Sequence, residues 1–245
     1  MRRNSTAILI GTATFLAGII LATIYYRLPR EHEIVPKPAT APTIETCKEN
    51  SSSFPGLSKP LGSLKKYRNG YFPERVFDDG WSGADGSFDT WYGKHLAAMG
   101  ESSLLDIDNA DTESYRFLWL RSFHHPISVR IERRGYTFGL KAVELDGSGG
   151  YEPGKIRQTD DVVIYSDQWC RFTSLLDEAK FWEQPTSSDS SLGWDGAQWI
   201  LEGVNDERYH IVHRWSPTAD TFREACMYLL ELSGRDEKSL GGNLY

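Results

Sequence analysis

The sequence predicts an α+β fold in which two or three helices pack on a mainly antiparallel sheet of about six strands, preceded by one transmembrane helix. Segments with strand-like alternation follow one another through short polar turns, as in hairpins. Segments with helical periodicity stand apart from these strand pairs. Strands joined by hairpins, with the helices grouped separately, are typical of α+β folds.

The composition of the 245-residue chain divides it into three regions. We expect a membrane anchor over residues 1–27, a tether rich in Pro and Ser over 28–60, and one globular α+β domain over 61–245. Six of the eleven prolines lie in the tether, and all eight tryptophans lie in the domain. A proline-rich segment without apolar periodicity is semi-extended, so the tether would hold the domain away from the bilayer.

The predicted anchor is Thr6–Tyr26, a run of 21 residues without a charged side chain. At about 1.5 Å per residue it spans roughly 30 Å, the thickness of the hydrocarbon core of a bilayer. A cleavable signal peptide is the alternative, but its apolar region is shorter and small residues precede its cleavage site. Here the run ends in Tyr25-Tyr26-Arg27, which favours an uncleaved anchor in contact with lipid.

The charges around the anchor do not decide its orientation, because Arg2 and Arg3 precede it and Arg27, Arg30 and Lys37 follow it. The short segment before the anchor is most simply retained in the cytoplasm, so that the domain is exported. We therefore expect a single-pass membrane protein with an exported domain, which in a bacterium with two membranes means an inner-membrane protein with a periplasmic domain. A domain that faces the cytoplasm is the alternative.

The acidic charge of the domain limits the class of partner. The chain has a net charge of −7, and its first 40 residues carry five basic and two acidic side chains, so the remainder carries −10. Nucleic-acid binding needs clustered Lys and Arg, so we expect no nucleic-acid partner. Cations or basic partners fit this charge, although it is also ordinary for solubility.

Apolar periodicity predicts each element of the domain in turn. Ser114–Phe123 is apolar on both faces, as a central strand would be. A hairpin with a short polar loop and a capped helix follow late in the chain, with Gly234 at the helix C-terminus. The full prediction is a helix over 88–99, strands over 114–123, 127–132, 137–145 and 156–165, a helix over 166–182, strands over 199–204 and 208–215, and a helix that begins at Ser216-Pro217 and ends before Gly234.

The late hairpin yields the candidate catalytic residues. If its loop is Asn205–Glu207, Val204 pairs with Arg208, and this register places Glu202, His210 and Arg214 on one face. A carboxylate, an imidazole and a guanidinium together suit acid–base chemistry or anion binding. A charged network on the surface of the sheet is the alternative.

Three tryptophans are candidates for a binding surface for a glycan or a peptide. Most tryptophans of a domain this size belong to its core. Trp81, Trp194 and Trp199 lie near glycine-rich turns, where aromatic side chains can instead be exposed.

No metal or cofactor site is predicted. Asp146–Gly154 has neither the spacing of a phosphate-binding loop nor a helix after it. The acidic cluster over 106–113 departs from the calcium-loop pattern at Ala110 and Asp111. His210 and His213 form an HxxH pattern on a predicted strand, where they point to opposite faces and cannot share a metal.

The cysteines do not form a CxxC motif. Cys47 lies in the tether, whereas Cys170 and Cys226 lie on two helices that we expect on one face of the sheet. Helices pack about 8–10 Å apart, which is wide for a disulfide. We therefore expect Cys170 and Cys226 to be buried free thiols, with a disulfide between them as the alternative.

Four segments carry a resemblance to bacterial proteins of unknown function: GWDGAQWILEG, YHIVHRWSP, YRFLWLRSFHHP and LLDEAKFW. The resemblance covers roughly residues 87–234. It implies a bacterial source and transfers no activity and no site residues.

Two functions follow as hypotheses. The first is a membrane-anchored envelope protein whose exported domain binds or scaffolds a protein or cell-wall partner without catalysis. The second is an envelope hydrolase that uses the face of Glu202, His210 and Arg214.

Overall fold

The computed structural model describes residues 59–60, 63–64, 70–74, 76–77, 88–107, 111–187, 195–205, 208–235 and 240. These residues form three α-helices: α1 (Phe88–Ala98), α2 (Ser166–Glu178) and α3 (Thr221–Leu232). None of the helices in these ranges is long and apolar enough to cross a membrane. The expected anchor and tether lie outside the described residues, apart from Lys59 and Pro60.

The strands form one antiparallel sheet, which confirms the α+β class. Six strands are long, and a seventh of two residues pairs at one edge. The order across the sheet is β1-β7-β6-β2-β3-β4-β5, so β2 is central, as its apolar residues on both faces predict. The strands are β1 (Lys59–Pro60), β2 (Thr112–Arg121), β3 (Ile127–Arg134), β4 (Thr137–Leu145), β5 (Ile156–Val163), β6 (Ala197–Val204) and β7 (Arg208–Trp215).

Helices cover both faces of the sheet. On the first face, α2 and α3 bury side chains such as Phe172 and Leu229 against Phe117 and Trp199. On the second face, α1 packs against the alternate residues of the same strands, among them Ile200. Because side chains alternate along a strand, neighbouring residues of β2, β6 and β7 belong to different cores.

The last helix begins later than predicted. Asp220, not Ser216, is its N-cap, and the Asp220 side chain accepts a hydrogen bond from the backbone N–H of Arg223 at 2.7 Å. Ser216 instead has a φ of 40° and accepts a hydrogen bond from the backbone N–H of Ala197 through its Oγ. The predicted end is confirmed: Gly234 has a φ of 76°, and Arg235 N–H bonds to the Leu230 carbonyl in a Schellman motif.

The middle helix ends earlier than predicted. It stops at Glu178, Lys180 adopts a left-handed φ of 51°, and a short 3₁₀ helix follows over Phe181–Glu183. This break lets Phe181 and Trp182 turn back into the first-face core, where both are buried. The apolar residues up to 182 therefore belong to one core but not to one helix.

The register of the β6–β7 hairpin differs by one residue from the prediction. Val204 pairs with Tyr209, not with Arg208. Asn205 and Arg208 bond to each other at the end of the hairpin, so the loop is shorter than predicted. The Asn205 N–H donates to the Arg208 carbonyl at 3.1 Å, and the Asn205 Oδ1 accepts from the Arg208 N–H at 3.1 Å. A slip of one residue moves every side chain of a strand to the other face relative to its partner strand.

Candidate functional site

The register separates the three candidate catalytic residues. Glu202 pairs with Ile211, and its carboxylate lies in the second-face core. His210 lies on the first face, with its ring centroid 5.2 Å from that of Phe181. Arg214 lies on the first face as well, with its guanidinium 5.8 Å from the Phe222 ring centroid. The predicted common face was therefore wrong, because it depended on the incorrect register.

Glu202 belongs to a buried ion pair that the sequence analysis missed. It lies directly opposite Arg116 of the neighbouring strand β2. Arg116 Nε donates to Glu202 Oε1 at 2.7 Å, and Tyr209 Oη donates to Oε2 at 2.9 Å. Burial lowers the pKa of Arg116, but the carboxylates of Glu202 and Glu101 outweigh burial and raise it. Arg116 therefore stays charged inside the second-face core.

The ion pair continues to a second buried carboxylate, Glu101. Its side chain is 1% exposed and contacts three cationic side chains, with Arg116 at 3.4 Å, Arg130 at 2.9 Å and Lys141 at 3.3 Å. Burial raises the pKa of Glu101, but the three cations together hold it below its usual value. These charges stabilise one another, which is how a protein tolerates ionised groups in a core.

Among the described residues, no carboxylate is hydrogen-bonded or ion-paired to His210 to support acid–base chemistry. Burial, helped by the nearby Arg208 and Arg214, lowers the pKa of His210 to about 4. Its neutral ring packs between the first-face aromatic residues. Arg214 holds the segment after the 3₁₀ helix, since its guanidinium donates to Gln184 Oε1 at 2.7 Å and to the Thr186 carbonyl at 3.0 Å.

The two histidines of the HxxH pattern point to opposite faces, as predicted for a strand. His213 lies in the second-face core, where its Nε2 is 3.1 Å from Tyr92 Oη. Among the described residues, no group of three His, Cys, Asp or Glu side chains is arranged to hold a metal ion. Part of the acidic cluster, Asp108, lies outside the described residues.

Of the three candidate tryptophans, only Trp199 is described. It is fully buried on the first face, 5.3 Å from the Trp119 ring centroid. Trp199 is therefore a core residue, and its prediction as part of an exposed binding surface was wrong. Trp81 and Trp194 lie outside the described residues, so their role stays a prediction.

The glycine-rich segment after β4 forms an ordered loop docked on the β2–β3 loop. The Gly149 and Gly150 N–H groups donate to the carbonyls of His124 and Ser122 at 3.0 and 3.1 Å. A Cβ on Gly149 would lie 2.6 Å from the Arg121 backbone, so only glycine permits this approach. The glycines of Asp146–Gly154, whose spacing does not match a phosphate-binding loop, instead allow two loops to pack closely together.

These two loops place an exposed aromatic pair at one end of the sheet. Phe123 and Tyr151 are 57% and 61% exposed, and their ring centroids are 6.1 Å apart. Phe123 follows Ser122 and Tyr151 follows Gly150, and Ser122 and Gly150 are joined by a backbone hydrogen bond between the two loops. We call Phe123 and Tyr151 the aromatic pair. Two exposed rings held in place by bonded loops are suited to contact a partner, because little conformational freedom is lost on binding.

The cysteines differ in redox state. Cys226 is a buried free thiol, as predicted. Cys170 is disulfide-bonded, which corrects the expectation of a free thiol there. Since Cys226 is free, the two do not pair with each other. The partner of Cys170 lies outside the described residues.

Comparison of the chain with protein-family models, with curated proteins and with solved structures finds no match.

Proposed function

We propose that this chain is a single-pass envelope protein, anchored in the bacterial inner membrane, whose periplasmic domain binds or scaffolds a protein or cell-wall partner without catalysis. The aromatic pair is the observation that carries the proposal. Rings of this kind are enriched at the centres of interfaces, where they exclude water from a large area. Contiguous exposed apolar surface of this kind commonly marks a site of interaction on a soluble protein.

The arrangement of the charged groups supports binding over catalysis. Glu202, the carboxylate among the candidate catalytic residues, is 1% exposed, and both of its oxygens accept hydrogen bonds, from Arg116 and from Tyr209. The imidazole of His210 lies on the other side of the sheet. Groups that bond one another in a core stabilise the fold, whereas a general acid or base must reach the substrate.

The disulfide at Cys170 supports export of the domain. Disulfides persist in oxidising compartments such as the periplasm and are rare in the cytosol. Together with the uncharged segment Thr6–Tyr26, it favours a domain outside the inner membrane.

Two fusions after Tyr245 test the location, one to alkaline phosphatase and one to a fluorescent protein that folds only in the cytoplasm. We expect phosphatase activity without fluorescence. Fluorescence without phosphatase activity would refute a periplasmic domain.

Photo-crosslinking in living cells tests the aromatic pair. A benzophenone amino acid placed at position 123 should give a discrete crosslinked band or a cell-wall-bound fraction. The same probe at Tyr136, which is 87% exposed at the opposite end of the sheet, serves as the control. Equal crosslinking at the two positions would contradict the proposal, as would a band that persists in the Tyr151→Ala background.

A further inference from the structure

The strand β5 forms an open edge of the sheet. Among the described residues, β5 pairs only with β4 and stands last in the strand order. Most of its eight residues are exposed, including Ile156 at 52% and Val163 at 80%. The outer N–H and C=O groups of an edge strand are a ready template for another extended segment.

A cleft of about 310 Å³ lies beside this edge on the second face. Its lining includes Arg130, Glu132, Lys141, Asp161 and Val163. The cleft therefore reaches from the buried charge network to the rim of β5. In strand addition, backbone bonds supply affinity, and pockets for alternate side chains supply specificity.

One charge on β5 has no partner of its own. Asp160 is paired with Arg235 at 2.7 Å, and Arg157 is paired with Glu144. The Asp161 carboxylate has neither a hydrogen bond nor an ion pair within the part of the chain that the structure describes. It lies in the cleft opposite Lys141 in the β4–β5 register, but the Lys141 Nζ is 3.3 Å from Glu101.

The charge of β5 opposes pairing with a second copy. A two-fold axis near the middle of the strand brings Asp160 and Asp161 of the two copies into neighbouring positions, and facing like charges destabilise a strand pair. The same carboxylate attracts a cation from another chain. The net charge of −10 beyond residue 40 adds a long-range attraction for basic segments.

We propose that β5 and its cleft bind an extended basic peptide segment, which adds an antiparallel or parallel strand to the sheet. A Lys or Arg of that segment lies opposite Asp161, and an apolar residue two positions away lies against Val163. Both partner residues fall on the second face because side chains alternate along a strand. This inference rests on the proposed function in that the domain binds partners, but it uses a surface separate from the aromatic pair.

A short peptide provides the test. The probe is fluorescein-labelled Thr-Val-Thr-Lys-Thr-Val-Thr, which presents Val, Lys and Val on one face and reads alike in both strand directions. The full-length chain in detergent micelles is titrated at low salt, and fluorescence anisotropy is recorded. We expect saturable binding, and at least tenfold weaker binding of the analogue with Glu in place of Lys.

Two protein variants locate the site. Asp161→Lys should weaken binding of the probe at least tenfold. Glu231→Lys makes the same change of charge on an exposed position of α3 and should leave affinity within twofold. Equal affinity of the two variants, or absence of binding to the unchanged protein, would overturn the inference.

Methylated probes distinguish strand addition from simple charge attraction. One version carries N-methyl groups on the Thr residues, and the other carries them on Val, Lys and Val. Because alternate N–H groups point to opposite edges of a strand, only one version should lose binding. Equal binding of both would refute strand addition. Dimerisation that Asp161→Lys strengthens would refute it in favour of a second copy.

The Phe123→Ala/Tyr151→Ala variant separates this inference from the proposed function. It should bind the probe normally. Absence of a crosslink from the benzophenone residue at position 123, in a protein otherwise unchanged that binds the probe normally, would refute only the role of the aromatic pair. Crosslinking at 123 without probe binding would refute only the peptide site on β5.

Discussion

Arg116 on β2 and Glu202 on β6 form a buried ion pair across the centre of the sheet, with 2.7 Å between Nε and Oε1. Removing one partner leaves an uncompensated charge in the core, which costs about 3–5 kcal/mol. We predict losses of this size in the free energy of unfolding for Arg116→Met and for Glu202→Met. The double variant should lose less than the sum of the two, as measured by urea denaturation. Additive losses would contradict a direct pairing.

The Gly149→Ala variant tests the docking of the two loops. Its Cβ would lie 2.6 Å from the Arg121 backbone, whereas a Cβ on Gly139 meets nothing within 4 Å. Forced contacts in a packed region cost about 1–3 kcal/mol. We predict that Gly149→Ala lowers the free energy of unfolding by that amount and that the control Gly139→Ala leaves it nearly unchanged. Equal effects would contradict the close approach.

His210 makes the fold sensitive to acid. Burial lowers its pKa from 6.5 to about 4, so between these values the unfolded chain binds a proton that the folded chain does not. The free energy of unfolding therefore falls as the pH drops from 6.5 towards 4. The total loss is about 3 kcal/mol once His210 is protonated in the folded chain as well. We predict that His210→Leu shows a smaller fall than the unchanged protein in urea denaturation over this range. Parallel pH profiles would contradict it.

The oxidation state of the cysteines is measurable on the protein isolated from membranes. Cys226 is the free thiol and Cys170 is bonded, and Cys47 is the remaining one of the three cysteines in the sequence. We predict that non-reducing peptide mapping links Cys170 with Cys47. Reduction should lower stability by about 2–4 kcal/mol. A dimer joined through Cys170 of two chains would contradict the prediction.

Pattern and composition predicted most of the elements, because each depends on neighbours along the chain. The strand Thr137–Leu145 and the strand Arg208–Trp215 have the predicted bounds, and the stripe of Phe222, Cys226 and Leu229 is buried as expected. The starts and ends of helices were less predictable. Ser216 resembles an N-cap in the sequence, but its hydroxyl is engaged by Ala197 of another strand.

The candidate site was predicted poorly because it depended on one turn. Asn205 pairs with Arg208 and shortens the loop, which places His210 on the face opposite to Glu202. One signal in the sequence pointed to the ion pair: Arg116 stands between apolar neighbours, Tyr115 before it and Phe117–Leu120 after it. Such a residue needs a buried counter-charge, but nothing in its own segment identifies Glu101 or Glu202, which are distant in the chain.

The sequence by itself determined the α+β class, the central position of β2, the C-terminal cap at Gly234 and the acidic character of the domain, because periodicity, turn chemistry and charge are local properties. Only the tertiary structure decided which residues share a face, which carboxylates are neutralised by arginine, and which rings remain exposed. Those outcomes depend on register and on contacts between segments far apart in sequence. A shift of one residue in a hairpin reverses them without changing the composition of either strand.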